Sequence, residues 1–206
     1  MFYFKKIKFL IYYLIILFFV FCFNGCLTYE SKEYFYRLDS GNSGHGIIKY
    51  INLMTNSLYD STGTADTDFQ ELMDSYYTGD KIEEELAGAK NVKKRLYEED
   101  NRLCGEVSFD FDDITKMKFY KYDDTDILSN SVGTKLWCYY LSSGSMMGMT
   151  GNNEVYFSSN GKYGGENMPV IFWKGNQKEF GFKTTVTSPG KSTTGLLEKW
   201  KDNKKQ

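Results

Sequence analysis

Histidine is almost absent from this sequence, since His45 is the only one in 206 residues. A zinc site of the common types uses several His or Cys ligands, and no such set is spelled out locally. Ser43 lies two residues from His45, but a nucleophile–base pair also needs an orienting acid and an oxyanion hole. The segment 41–45 also lacks the final glycine of the GxSxG elbow. We therefore expect a solvated histidine, no metal site and no catalytic residue.

A nucleotide-binding loop is also missing. Residues 189–193 read PGKST, which matches the end of a phosphate-binding loop. That motif needs a glycine five residues before Gly190, where this chain has Thr185. We expect a turn here, followed by Ser192 or Thr193 as the N-cap of a helix. No cofactor is predicted.

Carboxylates form two clusters without the spacing of a calcium loop. Such oxygens suit a hard cation or, in pairs, glycoside hydrolysis. No glycine marks the bend of an EF-hand and no glutamate closes it, so we expect solvated turns. The clusters are Asp110, Asp112 and Asp113, and Asp123, Asp124 and Asp126.

The chain also lacks an excess of positive charge, because its formal net charge is −2. Residues 1–25 hold three lysines and no acid, so without them 22 basic and 27 acidic side chains give −5. A nucleic-acid-binding domain presents a clustered basic face. This balance argues against a nucleic-acid partner.

Long apolar runs are confined to one place, the amino-terminal leader. Lys5, Lys6 and Lys8 precede an apolar stretch over residues 9–23. A basic segment followed by an apolar segment of this length is typical of a secretory signal peptide. A membrane-spanning helix usually needs ~20 apolar residues, so an uncleaved anchor is the alternative interpretation.

Gly25 and Cys26 follow the apolar stretch, and this junction resembles the lipobox of bacterial lipoproteins. The resemblance implies removal of residues 1–25 and palmitate-type acylation of Cys26, where two or three chains hold a protein stably on a membrane. Phe23 and Asn24 depart from the Leu and the small residue of the family pattern. Leu27, in place of Asp, favours the outer membrane if the cell has one. An ordinary signal peptide with an incidental cysteine is the alternative.

The remaining cysteines define a candidate disulfide. Cys22 lies in the leader and Cys26 is assigned to lipid, which leaves Cys104 and Cys138. Such a pair persists as a disulfide outside the cytoplasm. The strand phase of Cys104, which alternates with Glu106, argues against pairing. Two free thiols that pack as small apolar groups are the alternative.

Alternating polar and apolar residues predict an α+β domain with a largely antiparallel, curved sheet built from hairpins. One helix should follow the first hairpin, with a capping box at 67–70 and an apolar stripe of Phe69, Leu72, Met73 and Tyr76. A second helix should cover 192–199. Three hairpins are expected, at 33–52, 91–111 and 169–186.

The domain boundaries follow from these patterns. Residues 1–25 are the signal peptide, and 26–32 are the acylated cysteine and a short tether. Residues 33–200 form a single α+β domain, and 201–206 form a disordered tail. No internal sequence repeat of the kind found in solenoid proteins is evident.

Tyrosine is abundant in the predicted strands. A tyrosine has a flat apolar body and a polar tip, so such strands suit a sugar or a protein partner, although packing in a sheet is the common role. The glycine- and methionine-rich segment 142–153 would suit a contact loop. The three tyrosine-rich pairs are Tyr34 and Tyr36, Tyr120 and Tyr122, and Tyr139 and Tyr140.

Four segments resemble uncharacterised bacterial lipoproteins. They are 91–96, 103–109, 158–166 and 168–173. The resemblance implies no activity, and Cys26 is the functional residue that carries over from it.

The sequence therefore predicts a non-enzymatic binding or structural lipoprotein of the bacterial cell envelope, anchored through Cys26, with an envelope protein as a candidate partner. The alternative is a carrier or sensor that holds an apolar ligand on the concave face of a curved sheet. A hydrolase is a third interpretation. The concave face of the alternative would be lined by Val107, Phe109, Phe111, Trp137 and Tyr139.

Overall fold

The structure is a computed structural model that describes residues 27–56, 65–122, 135–141, 154–158, 160–164, 170–186 and 193–205. The leader and Cys26 lie outside these residues. So do the methionine-rich segment 142–153, the carboxylates of 123–126 and residues 189–192, where a turn is predicted.

The described residues contain eleven strands. They are β1 (Leu27–Ser40), β2 (Ser43–Asn56), β3 (Ala89–Glu99), β4 (Arg102–Phe111), β5 (Phe119–Tyr122), β6 (Leu136–Tyr140), β7 (Glu154–Ser158), β8 (Lys162–Tyr163), β9 (Val170–Lys174), β10 (Glu179–Val186) and β11 (Thr193–Gly195).

Helical segments separate some of these strands. They are α1 (Ala65–Glu71), a π-helix (Leu72–Tyr77) that continues it, α2 (Lys81–Glu85), a 3₁₀ turn (Ile114–Met117) and α3 (Leu197–Asn203). The predicted helix after the first hairpin and the predicted C-terminal helix are both confirmed.

The strands form two antiparallel sheets, so the predicted α+β class with antiparallel pairing is confirmed, whereas the prediction of one sheet is wrong. The first sheet has seven strands in the order β3-β4-β2-β1-β10-β7, with β11 beside β2. The second has four strands in the order β5-β6-β9-β8. Alternation of side chains identifies a strand, but it does not say which of two sheets the strand joins.

The third predicted hairpin is wrong for this reason. The strands β9 and β10 follow each other closely in the chain, yet β9 pairs with β6 and β8 while β10 pairs with β1 and β7. The turn between them carries the chain from one sheet to the other. On β10, Phe180 and Phe182 lie opposite Tyr36 and Tyr34 of β1.

The ends of the predicted domain also need correction. Residues 27–32, expected as a tether, are the first part of β1, and Leu27 lies opposite Thr55 of β2. Backbone hydrogen bonds between strands do not need apolar side chains, so the polar residues before the predicted strand can also join the sheet. At the other end, α3 extends to Asn203, so the first part of the predicted tail is helical.

The predicted capping box is wrong, because α1 begins at Ala65 and Thr67 lies inside it. The apolar stripe of this segment does pack inward, as predicted. The helix predicted over 192–199 begins later, since residues 193–195 form β11.

The two sheets share one aromatic core. The ring centre of Phe119, on β5, lies 5.0 Å from those of Tyr36, Tyr139 and Phe180. These tilted and edge-on contacts are the arrangements that aromatic quadrupoles favour. Phe119 is fully buried, so it joins the inner face of the first sheet to that of the second.

A second core lies under the helices. Leu53, Leu72 and Leu103 pack there with Leu196 and Trp200 of the C-terminal segment. The buried carboxylate of Asp68, on α1, accepts a hydrogen bond from the Thr55 hydroxyl of β2. A buried polar group must be paired in this way, because an unmet hydrogen bond is costly.

Gly46 is expected to be essential for the packing of the first core. A Cβ built on Gly46 would lie 2.5 Å from Cζ of Phe109 and 3.1 Å from Cδ1 of Tyr36. Gly46→Ala must displace buried rings, so we expect a loss of about 1–3 kcal/mol in the free energy of unfolding. Urea denaturation measures it.

Gly105 supplies the matched control on the neighbouring strand β4. A Cβ built on Gly105 would have Cδ1 of Leu53 as its nearest neighbour, at 3.5 Å, which is an ordinary van der Waals distance. Gly105→Ala should be at least as stable as the parent protein, because alanine loses less backbone entropy on folding. Equal stability of Gly46→Ala and Gly105→Ala would contradict the packing argument.

Candidate functional site

The two candidate disulfide cysteines are buried free thiols, so the predicted disulfide is not formed. Cys104 lies on β4 of the first sheet and Cys138 on β6 of the second. Their neighbours Val107, Trp137 and Tyr139 face the shared core. Side chains alternate along a strand, so both thiols point away from that core and from each other.

His45 forms an exposed pair with Asp39, with 3.0 Å between Nδ1 and Oδ2. The Ser43 hydroxyl donates a hydrogen bond to the Ser40 carbonyl oxygen at 2.7 Å. His45 and Ser43 thus have different partners, and they do not form a nucleophile–base pair.

The first carboxylate cluster is held by neighbouring amide and ammonium groups. Asp110 accepts a hydrogen bond from the Asn91 amide at 2.7 Å, and Asp112 pairs with Lys90. Asp113 caps the 3₁₀ turn through the backbone N–H of Thr115, and this bond lowers the pKa of its carboxyl group. No group of three or more metal-ligating side chains occurs in the part of the chain that the structure describes.

The tyrosine-rich strands divide into two sets. Tyr36 and Tyr139 are buried in the core between the sheets, and Tyr34 packs against it. Tyr120, Tyr122 and Tyr140 are about half exposed on the second sheet.

The predicted concave ligand face is filled by protein. Its five side chains are 2–8 % exposed and belong to the core between the two sheets. The second sheet, which contributes two of the five, occupies the space that the prediction gave to a ligand.

A groove lies elsewhere, between the segment of residues 72–85 and the strands β1, β2, β3 and β4. We call it the tyrosine groove; its volume is about 140 Å³. Gly105 has no side chain to fill the space beside Leu53 and Leu96, whose methyl groups would lie 3.5 and 3.6 Å from a Cβ. The apolar and aromatic lining includes Leu27, Tyr29, Tyr50, Leu53, Leu72, Tyr76, Tyr77, Ile82, Leu96 and Val107.

A second cavity of about 260 Å³ adjoins the groove, and Lys32, Tyr50 and Glu85 line both. We call it the lysine pocket, because Lys116 and Lys118 join Lys32 in its wall. Its only carboxylate among the lining residues is that of Glu85.

Lys32 lies at the junction of the two cavities, over two tyrosine rings. Its Nζ is 4.6 Å from the ring centres of both Tyr29 and Tyr50. The rings meet edge to face with 5.8 Å between their centres. A cation over an aromatic face gains roughly 0.5–2 kcal/mol, so the rings hold the ammonium group at this position.

Tyr50, in the wall of the groove, keeps its phenolic proton at neutral pH. Burial, and then the charge of Glu85, raises the pKa of Tyr50 far above its ordinary value. At the start of α2, outside the groove lining, burial alone would lower the pKa of Lys81, but hydrogen bonds to Glu71 and Tyr76 raise it. The Tyr50 phenol can therefore contribute to binding, but it does not exchange its proton near pH 7.

Sequence reasoning missed this site because its residues come from six separate elements. The apolar stripe over Leu72 and Tyr76 was visible, as was the inward phase of Gly105. Neither signal shows that the helix stands off the sheet at this position.

Comparisons with protein-family models, curated proteins and solved structures find no significant match to the chain. Among the helices that the structure describes, none is long and apolar enough to span a membrane.

The buried thiols should be unreactive in the native protein. Burial raises the pKa of Cys138 to about 11 and that of Cys104 above its ordinary value. With Cys22 and Cys26 replaced by serine, a disulfide-exchange reagent at about pH 8 should react with both thiols only after denaturation. A measured mass that shows the two cysteines to be oxidised would contradict this prediction and support a disulfide.

The buried tyrosines should couple stability to alkaline pH. Burial raises the pKa of Tyr34, Tyr36 and Tyr50, so the folded state holds these protons above the unfolded value of 10.0. The contribution of these phenols to the free energy of unfolding should be constant below about pH 10 and fall above it. The last tyrosinate absorbance should then appear together with the loss of far-ultraviolet circular dichroism.

Tyr50→Phe keeps the ring but removes one of these titrating groups. Above about pH 10, its free energy of unfolding should therefore fall less steeply with pH than that of the parent protein. Complete tyrosine ionisation with unchanged circular dichroism would show that the phenols are not sealed from water.

Proposed function

We propose that this protein is a non-enzymatic binding protein of the bacterial cell envelope, anchored to a membrane through acylated Cys26, with the tyrosine groove as its binding site. The observation that carries the proposal is the position of the groove. Leu27, Thr28 and Tyr29 line it, and they directly follow Cys26 in the chain.

The groove would then lie close to the membrane surface. Tyr29 is three residues from Cys26, so at most about 10 Å of extended chain separates them. Residues 27–40 form a strand inside a sheet, so this segment cannot act as a slack linker. A ligand of this site would be met at the bilayer surface.

The groove chemistry supports binding over catalysis. Arg95 forms two hydrogen bonds with Glu106, at 2.8 and 2.9 Å, and Lys94 pairs with Glu83 at 2.7 Å. These charged groups are committed to each other. A general acid or base needs a pKa near the working pH, and the pKa of the Tyr50 phenol in the groove lies far above it.

A carrier of an apolar ligand is the second candidate, and the volume of the groove limits it. A dry cavity of roughly 150 Å³ accepts benzene, whereas pockets for drug-sized ligands run to roughly 300–1,000 Å³. The tyrosine groove, at about 140 Å³, has room for a ring or part of one alkyl chain. A carrier function would therefore be restricted to slender ligands.

Replacement of Cys26 tests the anchor. The parent protein, expressed in a bacterial host, should fractionate with membranes and have the mass of a chain that starts at Cys26 and carries acyl groups. Cys26→Ala should be unacylated, and it should be either released from the membrane or left unprocessed.

Cys22→Ala is the matched control, because it removes a thiol from the leader and leaves the junction intact. Its mass and membrane retention should equal those of the parent protein. Membrane retention with an unmodified mass in both the parent protein and Cys26→Ala would overturn the lipid anchor.

A further inference from the structure

We propose that the tyrosine groove and the lysine pocket together bind a single-chain amphiphile with an anionic head group, of the fatty-acid class. The head group would occupy the pocket, and the part of the alkyl chain next to it would occupy the groove. The inference rests on the proposed function, because it names the ligand of that site.

The first argument is the contrast in charge between the two cavities. In the groove, Lys94 and Arg95 are each paired with a carboxylate. In the lysine pocket, neither Lys116 nor Lys118 has an ion-pair partner among the described residues. Together with Lys32, these lysines outnumber the one carboxylate of the pocket, Glu85, so the pocket favours an anion.

The second argument is the apolar surface that adjoins this charge. Leu53, Leu96 and Val107 line the groove on the sheet side, and Leu72 and Ile82 on the helical side. Burial of methylene groups there is favourable, because it removes apolar surface from water. A ligand that spans both cavities would satisfy the charge and the apolar wall at once.

The third argument is size. A volume of about 140 Å³ accepts part of one alkyl chain but not two chains side by side. A two-chain phospholipid is therefore disfavoured, while a single-chain amphiphile fits.

Photolabelling of the full chain tests the inference. The protein is reconstituted in phosphatidylcholine vesicles and treated with a dodecanoate that carries a diazirine in the half of its alkyl chain next to the head group. Peptide mass spectrometry should place the label on the groove strands around Leu53, Leu96 and Gly105, and unlabelled dodecanoate should compete. A trimethylammonium probe with the same chain should label these strands at least tenfold less, at equal amounts in the vesicles.

Three variants separate the contributions. Lys116→Gln combined with Lys118→Gln should lower labelling by the dodecanoate probe about tenfold. Lys93→Gln combined with Lys174→Gln changes the net charge equally at exposed positions outside the pocket, and it should leave labelling unchanged. Gly105→Val places methyl groups in the groove and should abolish labelling there.

The inference would be overturned by equal labelling with the two probes, or by equal effects of the two lysine pairs. Label spread over the surface of the domain would overturn it as well. Each of these results leaves the Cys26 anchor standing, since that is tested by mass and fractionation. Conversely, a protein that is not acylated but labels as expected would overturn the anchor alone.

Discussion

The packing of Phe119 against Tyr36, Tyr139 and Phe180 is the constraint on which the rest of the structure depends. These rings join two sheets that have no backbone hydrogen bonds to each other among the described pairs. Tyr36 belongs to β1, so the aromatic core fixes this strand from one side. The same strand then carries Lys32 and Tyr29 into the groove, which places the binding residues on a rigid element.

The groove exists because the two cores cover different parts of one sheet face and leave a gap between them. The aromatic core covers one part of the inner face, and the helical core around Leu72 and Trp200 covers the other. Tyr76 packs against both cores. Between them the inward position on β4 is Gly105, which has no side chain to fill the space beside Leu53 and Leu96.

Sequence patterns predicted the parts of the fold that depend on local periodicity. Both local hairpins, the inward stripe of the first helix and the inward phase of Val107 and Phe109 were readable, because strand and helix periods differ. The sequence did not show that β9 and β10 belong to different sheets, because a short turn can connect two strands of a hairpin or two strands of different sheets. Strand phase argued against the pairing of Cys104, and the structure agrees with that argument. The groove could not be predicted, because it arises from the distance between elements.

The position of β10 beside β1 has a consequence for how the chain acquires its structure. Ser31 lies opposite Thr185, so the central strand of the first sheet receives a partner from nearly the opposite end of the domain. Pairings of such long range form slowly, because loop closure precedes any gain from contact. A nascent chain would thus stay open until its last strands had been synthesised. That delay suits a protein proposed to cross a membrane, since a translocation channel accepts an unfolded chain.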